Sequence, residues 1–172
     1  ADVKPGDFVA VFGCGPVGQM TIASAKLMGA DKVLAIDVIP DRLAMAERQG
    51  AIAINYDKQC PIKTLKDETN GFGPDACIDA VGVDAQCAHD GPAKSKNPLS
   101  KVGQAIEQKL VAPGRQVMTG DQWRAGDSPS QVLKWCVEAV RKSGVISIVG
   151  VYPQTAMVFP IGMAMNKCLT VR

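Results

Sequence analysis

Phe8-Val9-Ala10-Val11-Phe12-Gly13-Cys14-Gly15-Pro16-Val17-Gly18 is the stretch on which the reading of this chain turns. Five apolar residues in a row have the length of a strand, and a run without polar alternation suits a parallel strand buried on both faces. The run breaks at glycine. From Pro16 to Met28 the residues suit a helix, with proline tolerated in the first turn and Gly29 placed to stop it. Working outward, Lys32 to Asp37 reads as a second buried strand. Pro40 and Asp41 start a helix, with Asp41 as its cap, that runs to Gly50, and Ala51 to Asn55 follows as a third strand.

The pattern resumes downstream. Pro61 to Thr69 predicts a helix and Asp75 to Val81 a fourth strand. Val132 to Arg141 predicts a helix with one apolar side, Val145 to Val149 a fifth strand, and Cys168 to Val171 a sixth. Short apolar strands alternating with helices imply right-handed crossovers, hence an α/β domain with a doubly wound, parallel, six-stranded sheet, the Rossmann fold. One domain over 1–172 is expected, interrupted by an irregular insertion at about 84–130. In that insertion Leu99, Val102, Ile106 and Leu110 fall at helical spacing and predict a short amphipathic helix.

Composition narrows the function. With 172 residues, 47% hydrophobic and 21% charged, the chain is neither disordered nor a coiled coil. Nineteen Lys and Arg against 17 Asp and Glu leave a net charge of +2, so no nucleic acid partner is expected. No apolar stretch approaches the roughly 20 residues of a bilayer span, and Ala1 to Gly6 lacks a signal-peptide core, which predicts no membrane partner and a cytoplasmic location. Six cysteines without a Cys-x-x-Cys pair, and one histidine, His89, predict neither a disulfide framework nor a metal site built by this chain. A first residue that is not methionine, and strand-forming sequence close to Arg172, suggest a piece of something longer.

Gly13-Cys14-Gly15-Pro16-Val17-Gly18 fits G-x-G-x-x-G, and it stands directly between a strand and a helix. Main-chain N–H groups and the positive end of the helix dipole then face the space above the loop, which suits a pyrophosphate. Gly13 permits the turn, Gly15 lets the diphosphate approach the main chain, and Gly18 lets helix and strand pack closely. Asp37, roughly 20 residues further on at the end of the second strand, suits the hydroxyls of an adenosine ribose. A carboxylate there repels a 2′-phosphate, favouring NAD over NADP, although Arg42 softens that preference if it turns inward.

On these residues the chain resembles the cofactor-binding domain of the zinc-dependent, medium-chain alcohol dehydrogenases. Val3 to Asp7, the glycine loop, Asp37 with Asp41-Arg42, Gly50-Ala51, Ala53 to Tyr56 and Val149-Gly150-Val151 all follow that family in order and spacing. Asp79-Ala80-Val81-Gly82-Val83-Asp84-Ala85 before a long insertion is similar to the branch with glutathione-independent formaldehyde dehydrogenase. The resemblance implies hydride transfer between a zinc-bound alcohol and NAD in a longer parent, whose zinc ligands come from a separate domain. The chain alone is therefore expected to bind NAD without turning over a small alcohol or aldehyde, and to contain no catalytic or metal residue of its own. It further implies that Val17 presses on the nicotinamide side, Pro16 belongs to the cofactor-binding loop, Arg42 flanks the adenosine end, Val81 and Gly82 border adenine and ribose, and Val149, Gly150 and Val151 offer main-chain groups to the carboxamide. A homo-oligomer is implied through the sheet edge, near Ala156 to Phe159. In the resembling branch the insertion covers the adenosine end.

Simpler readings stand beside these. Val17, Val81, Val149 and Val151 are explained equally by core packing. Cys14 reads as a small buried hydrophobe, His89 as a surface residue, and Trp123 and Trp135 as packing. The insertion is either a cover or a solvated loop. A non-catalytic, redox-sensing NAD module and an S-adenosylmethionine-dependent methyltransferase remain as alternatives.

Overall fold

In the computed structural model the residues described are 1–94, 98–111, 126–154, 156 and 158–172. Strands β1 (Phe8–Phe12), β2 (Lys32–Asp37), β3 (Ile52–Asn55), β4 (Ala76–Asp79), β5 (Val145–Ile148) and β6 (Thr170–Val171) form one sheet in the order β3-β2-β1-β4-β5-β6, every pair parallel. The expected fold class is therefore the observed one. Each crossover among the first strands is a helix: α1 (Pro16–Leu27), α2 (Pro40–Arg48) and α3 (Pro61–Glu68).

Local chemistry explains these three helices. Each begins on proline, whose missing N–H costs nothing in a first turn. Each ends in a left-handed residue, Gly29, Gly50 or Asn70. The N–H two places past each cap then bonds back into the last turn, Ala30 to Ala25 O at 3.0 Å, Ala51 to Ala46 O at 3.1 Å and Gly71 to Lys66 O at 2.7 Å. The expected cap of α2 is displaced: Ile39 occupies the N-cap and Asp41 lies in the first turn, where it still complements the helix dipole.

The continuous apolar strands divide between two cores. Val9, Val11, Val33 and Ala35 point to the side where Ile22 of α1 and Leu43 and Ala46 of α2 are buried. Ala10, Phe12, Leu34 and Ile36 point to the other, against Leu65 of α3 and α5 (Gln131–Ala139), which contributes Trp135, Cys136 and Val137. Trp135 stacks on Phe12 at 6.3 Å and tilts against Tyr56 at 5.4 Å, the packing role expected of it. Trp123 lies outside the described residues.

Three expectations shift. β4 ends at Asp79 rather than Val81, and Gly82–Asp84 forms a 3-10 turn instead. A short helix, α6 (Ile161–Asn166), precedes β6 without having been anticipated. The insertion does hold a helix, α4 (Pro98–Val111), but its apolar stripe is not buried at the described positions, the side chain of Leu99 lying outside them. Val102, Ile106 and Leu110 are exposed, while Glu107 is buried, accepting the N–H of Ser130 at 2.8 Å and pairing with Lys134. An anchored carboxyl, with Val111 packed on Val83, holds α4 rather than the hydrophobic stripe.

Candidate functional site

The carboxyl ends of β1, β2, β4 and β5 open onto a cleft with two lobes. One lobe, of about 320 Å³, runs between Gly13, Gly15, Asp37, Arg42, Tyr56 and Gln86. The other, of about 580 Å³, is walled by Val17, Val111, Val149, Gly150, Val151 and Tyr152. Ala80, Val81 and Asp84 belong to both, so the lobes meet at the end of β4.

The glycine loop divides into positions the fold requires and one it does not. Gly13 has φ +86°, and a Cβ there would stand 2.5 Å from Val81 Cγ2. A Cβ on Gly18 would run into the Gly13 carbonyl. Gly15 has an ordinary extended backbone, φ −68° and ψ −172°, and a Cβ on it would meet no heavy atom within 4 Å. Glycine at 15 thus keeps open a space that no described residue fills. The first intrahelical bond is Gln19 N–H to Gly15 O, at 2.8 Å, so the N–H groups of Val17 and Gly18 have no acceptor within the helix.

Asp37 does more structural work than its sequence position suggests. It is 6% exposed, and its Oδ2 accepts the Cys14 N–H at 2.7 Å while Oδ1 accepts those of Val38 and Ile39 at 2.7 and 2.9 Å. A carboxylate has about four acceptor sites, so this bracing of the loop leaves about one for a sugar hydroxyl. Arg42 stands 3.9 Å from Oδ2, turned toward the acid as the sequence allowed. Cys14 is buried; burial first, then the nearby Asp37, pushes its thiol up to about 12, so it is unreactive at neutral pH.

Val17, Val149 and Val151 are 51%, 50% and 76% exposed, so core packing in this chain does not account for them. The 149–151 segment is held by main-chain bonds: Val149 and Gly150 N–H both reach Asp79 O at 2.9 and 2.8 Å, and Val151 O accepts the N–H of Val83 at 2.9 Å. Those groups are spent. Among the described residues, the Val149 and Gly150 carbonyls and the Val151 N–H keep no main-chain partner for a ligand amide. Gly18 and Gly82 lie behind the walls. Gly82, at φ +67°, would carry a Cβ 2.5 Å from the main chain of Val151, so its role is close backbone approach.

Three contributors escaped the sequence reading. Asp79 is fully buried, bonding the N–H groups of Val81 and Gly82 through Oδ1, each at 2.9 Å, and accepting the Tyr152 hydroxyl on Oδ2 at 2.6 Å. It clasps the end of β4 to the segment after β5. A charged residue closing an apolar strand was the signal for it. Gln19 donates to Cys14 O and Arg42 O, each at 2.9 Å, tying the loop to α2. Nothing in the sequence marks Gln19 or Tyr152 for these roles.

A zinc-binding dehydrogenase family model matches residues 16–89. A zinc-type alcohol dehydrogenase-like protein of Schizosaccharomyces pombe is 32% identical over 99% of this chain and 34% of its own length. The chain is similar to zinc-type alcohol dehydrogenases over nearly all of its own length. An uncharacterised zinc-type alcohol dehydrogenase-like protein of Bacillus subtilis adds 33% identity over 100% of this chain and 39% of its own. Among solved structures, an alcohol dehydrogenase from Thermus sp. ATN1 superposes with a TM-score of 0.67 at 34% identity, covering 99% of this chain and 37% of that one. The chain spans little more than a third of the length of the curated relatives it matches. Among the described residues, no helix is long and apolar enough to cross a membrane.

Two described residues of the insertion flank the cleft, Gln86 at one lobe and Val111, at the end of α4, at the other. Its middle, 112–125, lies outside the described residues, as does Met157 of the segment expected at the oligomer edge. Phe159 packs on the core, and of the two edge strands, β3 and β6, the one at the C-terminal end of the chain is the exposed β6. His89 is exposed, as expected, but Cys87, His89 and Asp127 bring their ligand atoms within 4.8 Å of one another, a grouping the sequence reading did not anticipate.

Proposed function

We propose that this chain is the NAD-binding unit of a zinc-dependent alcohol or aldehyde dehydrogenase, one domain over 1–172 with the 84–130 insertion at its cleft. The observation that carries the reading is Gly15, a glycine that neither backbone conformation nor packing requires, at the start of a helix whose first-turn amides lack an intrahelical acceptor. The residues fit a dinucleotide. The Val17 and Gly18 amides would take the pyrophosphate, with Gly13, Gly15 and Pro16 shaping the turn beneath it. Asp37 would hold the adenosine ribose through its remaining acceptor site, beside Arg42. Val81 would border the sugar, with Gly82 behind it, and Val17 with Val149, Gly150 and Val151 would wall the nicotinamide lobe. NAD bound there would supply a ring that accepts hydride.

Among the described residues, the nicotinamide lobe is walled by valine, alanine, glycine, tyrosine, proline and Asp84, without a cysteine or histidine to hold a catalytic zinc. Zinc chemistry in the parent would therefore come from outside this chain, and the isolated chain is expected to show no turnover. Relatives carry names such as erythritol/L-threitol dehydrogenase and (R,R)-butanediol dehydrogenase, which supports a small alcohol as substrate. The Asp79–Ala85 motif before a long insertion favours the formaldehyde dehydrogenase branch. The proposal includes a homo-oligomer through the β6 edge and the cytoplasm as compartment, supported by six free cysteines. Calorimetric titration with NAD, NADP and S-adenosylmethionine tests the core of this reading. Saturable binding of NAD alone is expected; preference for S-adenosylmethionine, or no binding at all, would overturn it.

A further inference from the structure

Beyond the dinucleotide cleft, the insertion brings together a second chemistry. Cys87 and His89 lie at its start and Asp127 at its end, 40 residues from Cys87 along the chain. Their Sγ, imidazole nitrogen and carboxylate oxygen all fall within 4.8 Å of one another. The Cys87 thiol donates to Asp127 Oδ2 at 3.3 Å, so the two groups share one proton where a cation would bind both. The carboxyl is already oriented, because Oδ1 accepts the Cys87 N–H at 2.8 Å, and the His89 main chain is pinned by its N–H to Asp57 Oδ1 at 3.1 Å. Preorientation of this kind by neighbouring bonds is what tightens metal sites.

We propose that Cys87, His89 and Asp127 bind a divalent cation of the zinc type, stapling the two ends of the insertion together beside the adenosine lobe. Thiolate, imidazole and carboxylate together select a borderline-soft ion over magnesium or calcium. On binding, the Cys87 S–H bond is broken and its proton leaves to solvent, the sulfur lone pair passing to the metal; no electron is transferred. Three protein ligands leave a fourth position for water. Closing a 40-residue loop in this way restricts the unfolded chain, as a cross-link does.

The test uses the whole chain, freed of metal by chelator and titrated with Co²⁺. One equivalent should bind, giving a thiolate-to-cobalt charge-transfer band in the near ultraviolet that Zn²⁺ abolishes by displacement, and Zn²⁺ should raise the melting temperature. Cys87→Ser should remove the band. His89→Gln, at an exposed position that folding does not need, should weaken affinity by about tenfold or more, and Asp127→Asn likewise. Cys60→Ser and Cys168→Ser should leave the band intact. A band that survives Cys87→Ser, vanishes with Cys60→Ser or Cys168→Ser, or never saturates near one equivalent would overturn the proposal. So would unchanged affinity in His89→Gln. NAD binding is measured in parallel, so failure of the metal site is distinguishable from failure of the dinucleotide reading.

Discussion

Replacing Gly15 by alanine separates the needs of the fold from those of a ligand. The backbone at 15 is extended and accessible to any residue, and the added methyl meets nothing within 4 Å. Restricting the unfolded chain gains about 0.4–1 kcal/mol. Alanine is a poorer N-cap than glycine by roughly half a kcal/mol, which offsets most of that gain. Melting temperature should therefore stay within a degree or two of the parent. Binding should not. The methyl occupies the space through which a pyrophosphate oxygen must come within about 2.9 Å of the helix amides. Losing one charge-assisted hydrogen bond costs about 1.5–3 kcal/mol, or roughly ten- to hundredfold in NAD affinity. Gly18→Ala is the contrast, since its methyl collides with the Gly13 carbonyl and the folded state itself must shift. Calorimetric NAD titration beside thermal melts reads both quantities. Wild-type affinity in Gly15→Ala, or a melt as damaged as that of Gly18→Ala, would refute the reasoning.

Two further perturbations probe the surroundings of the cleft. Tyr152→Phe deletes the 2.6 Å bond to the buried Asp79 carboxyl; about 2 kcal/mol, or roughly 4–8 °C in melting temperature, should be lost along with NAD affinity. An unchanged melt would remove Tyr152 from the clasp. Burial, helped by Asp37, raises both the Cys14 thiol and the Tyr56 hydroxyl to about 12 in the folded chain, from ordinary values of 9.0 and 10.0. The neutral forms are favoured by folding, so their contribution is complete below about pH 9 and is lost as pH climbs toward 12. Urea midpoints should fall through that alkaline window and fall less in Cys14→Ala; a flat profile would contradict the burial.

The sequence by itself determined the sheet and its covering, because those features are written in local rules. Unbroken apolar runs such as Phe8–Phe12 belong between two helical layers, prolines at 16, 40 and 61 begin helices, and Gly29 and Gly50 end them. The glycine loop and Asp37 were legible for the same reason, each standing where a strand gives way to a turn and a helix. Tertiary structure alone decided what those residues face. It committed most of Asp37 to bracing Cys14, Val38 and Ile39, and it set Gly82 against Val151. It joined Tyr152 to Asp79, turned Glu107 rather than the apolar stripe of α4 inward, and drew Cys87 and His89 to Asp127. Apart from the local bonds of Asp37 to Val38 and Ile39, these partners lie tens of residues apart, so no spacing in the chain encodes them. Their distances are set by strand register and by the path of the crossovers, which exist only once both cores have packed.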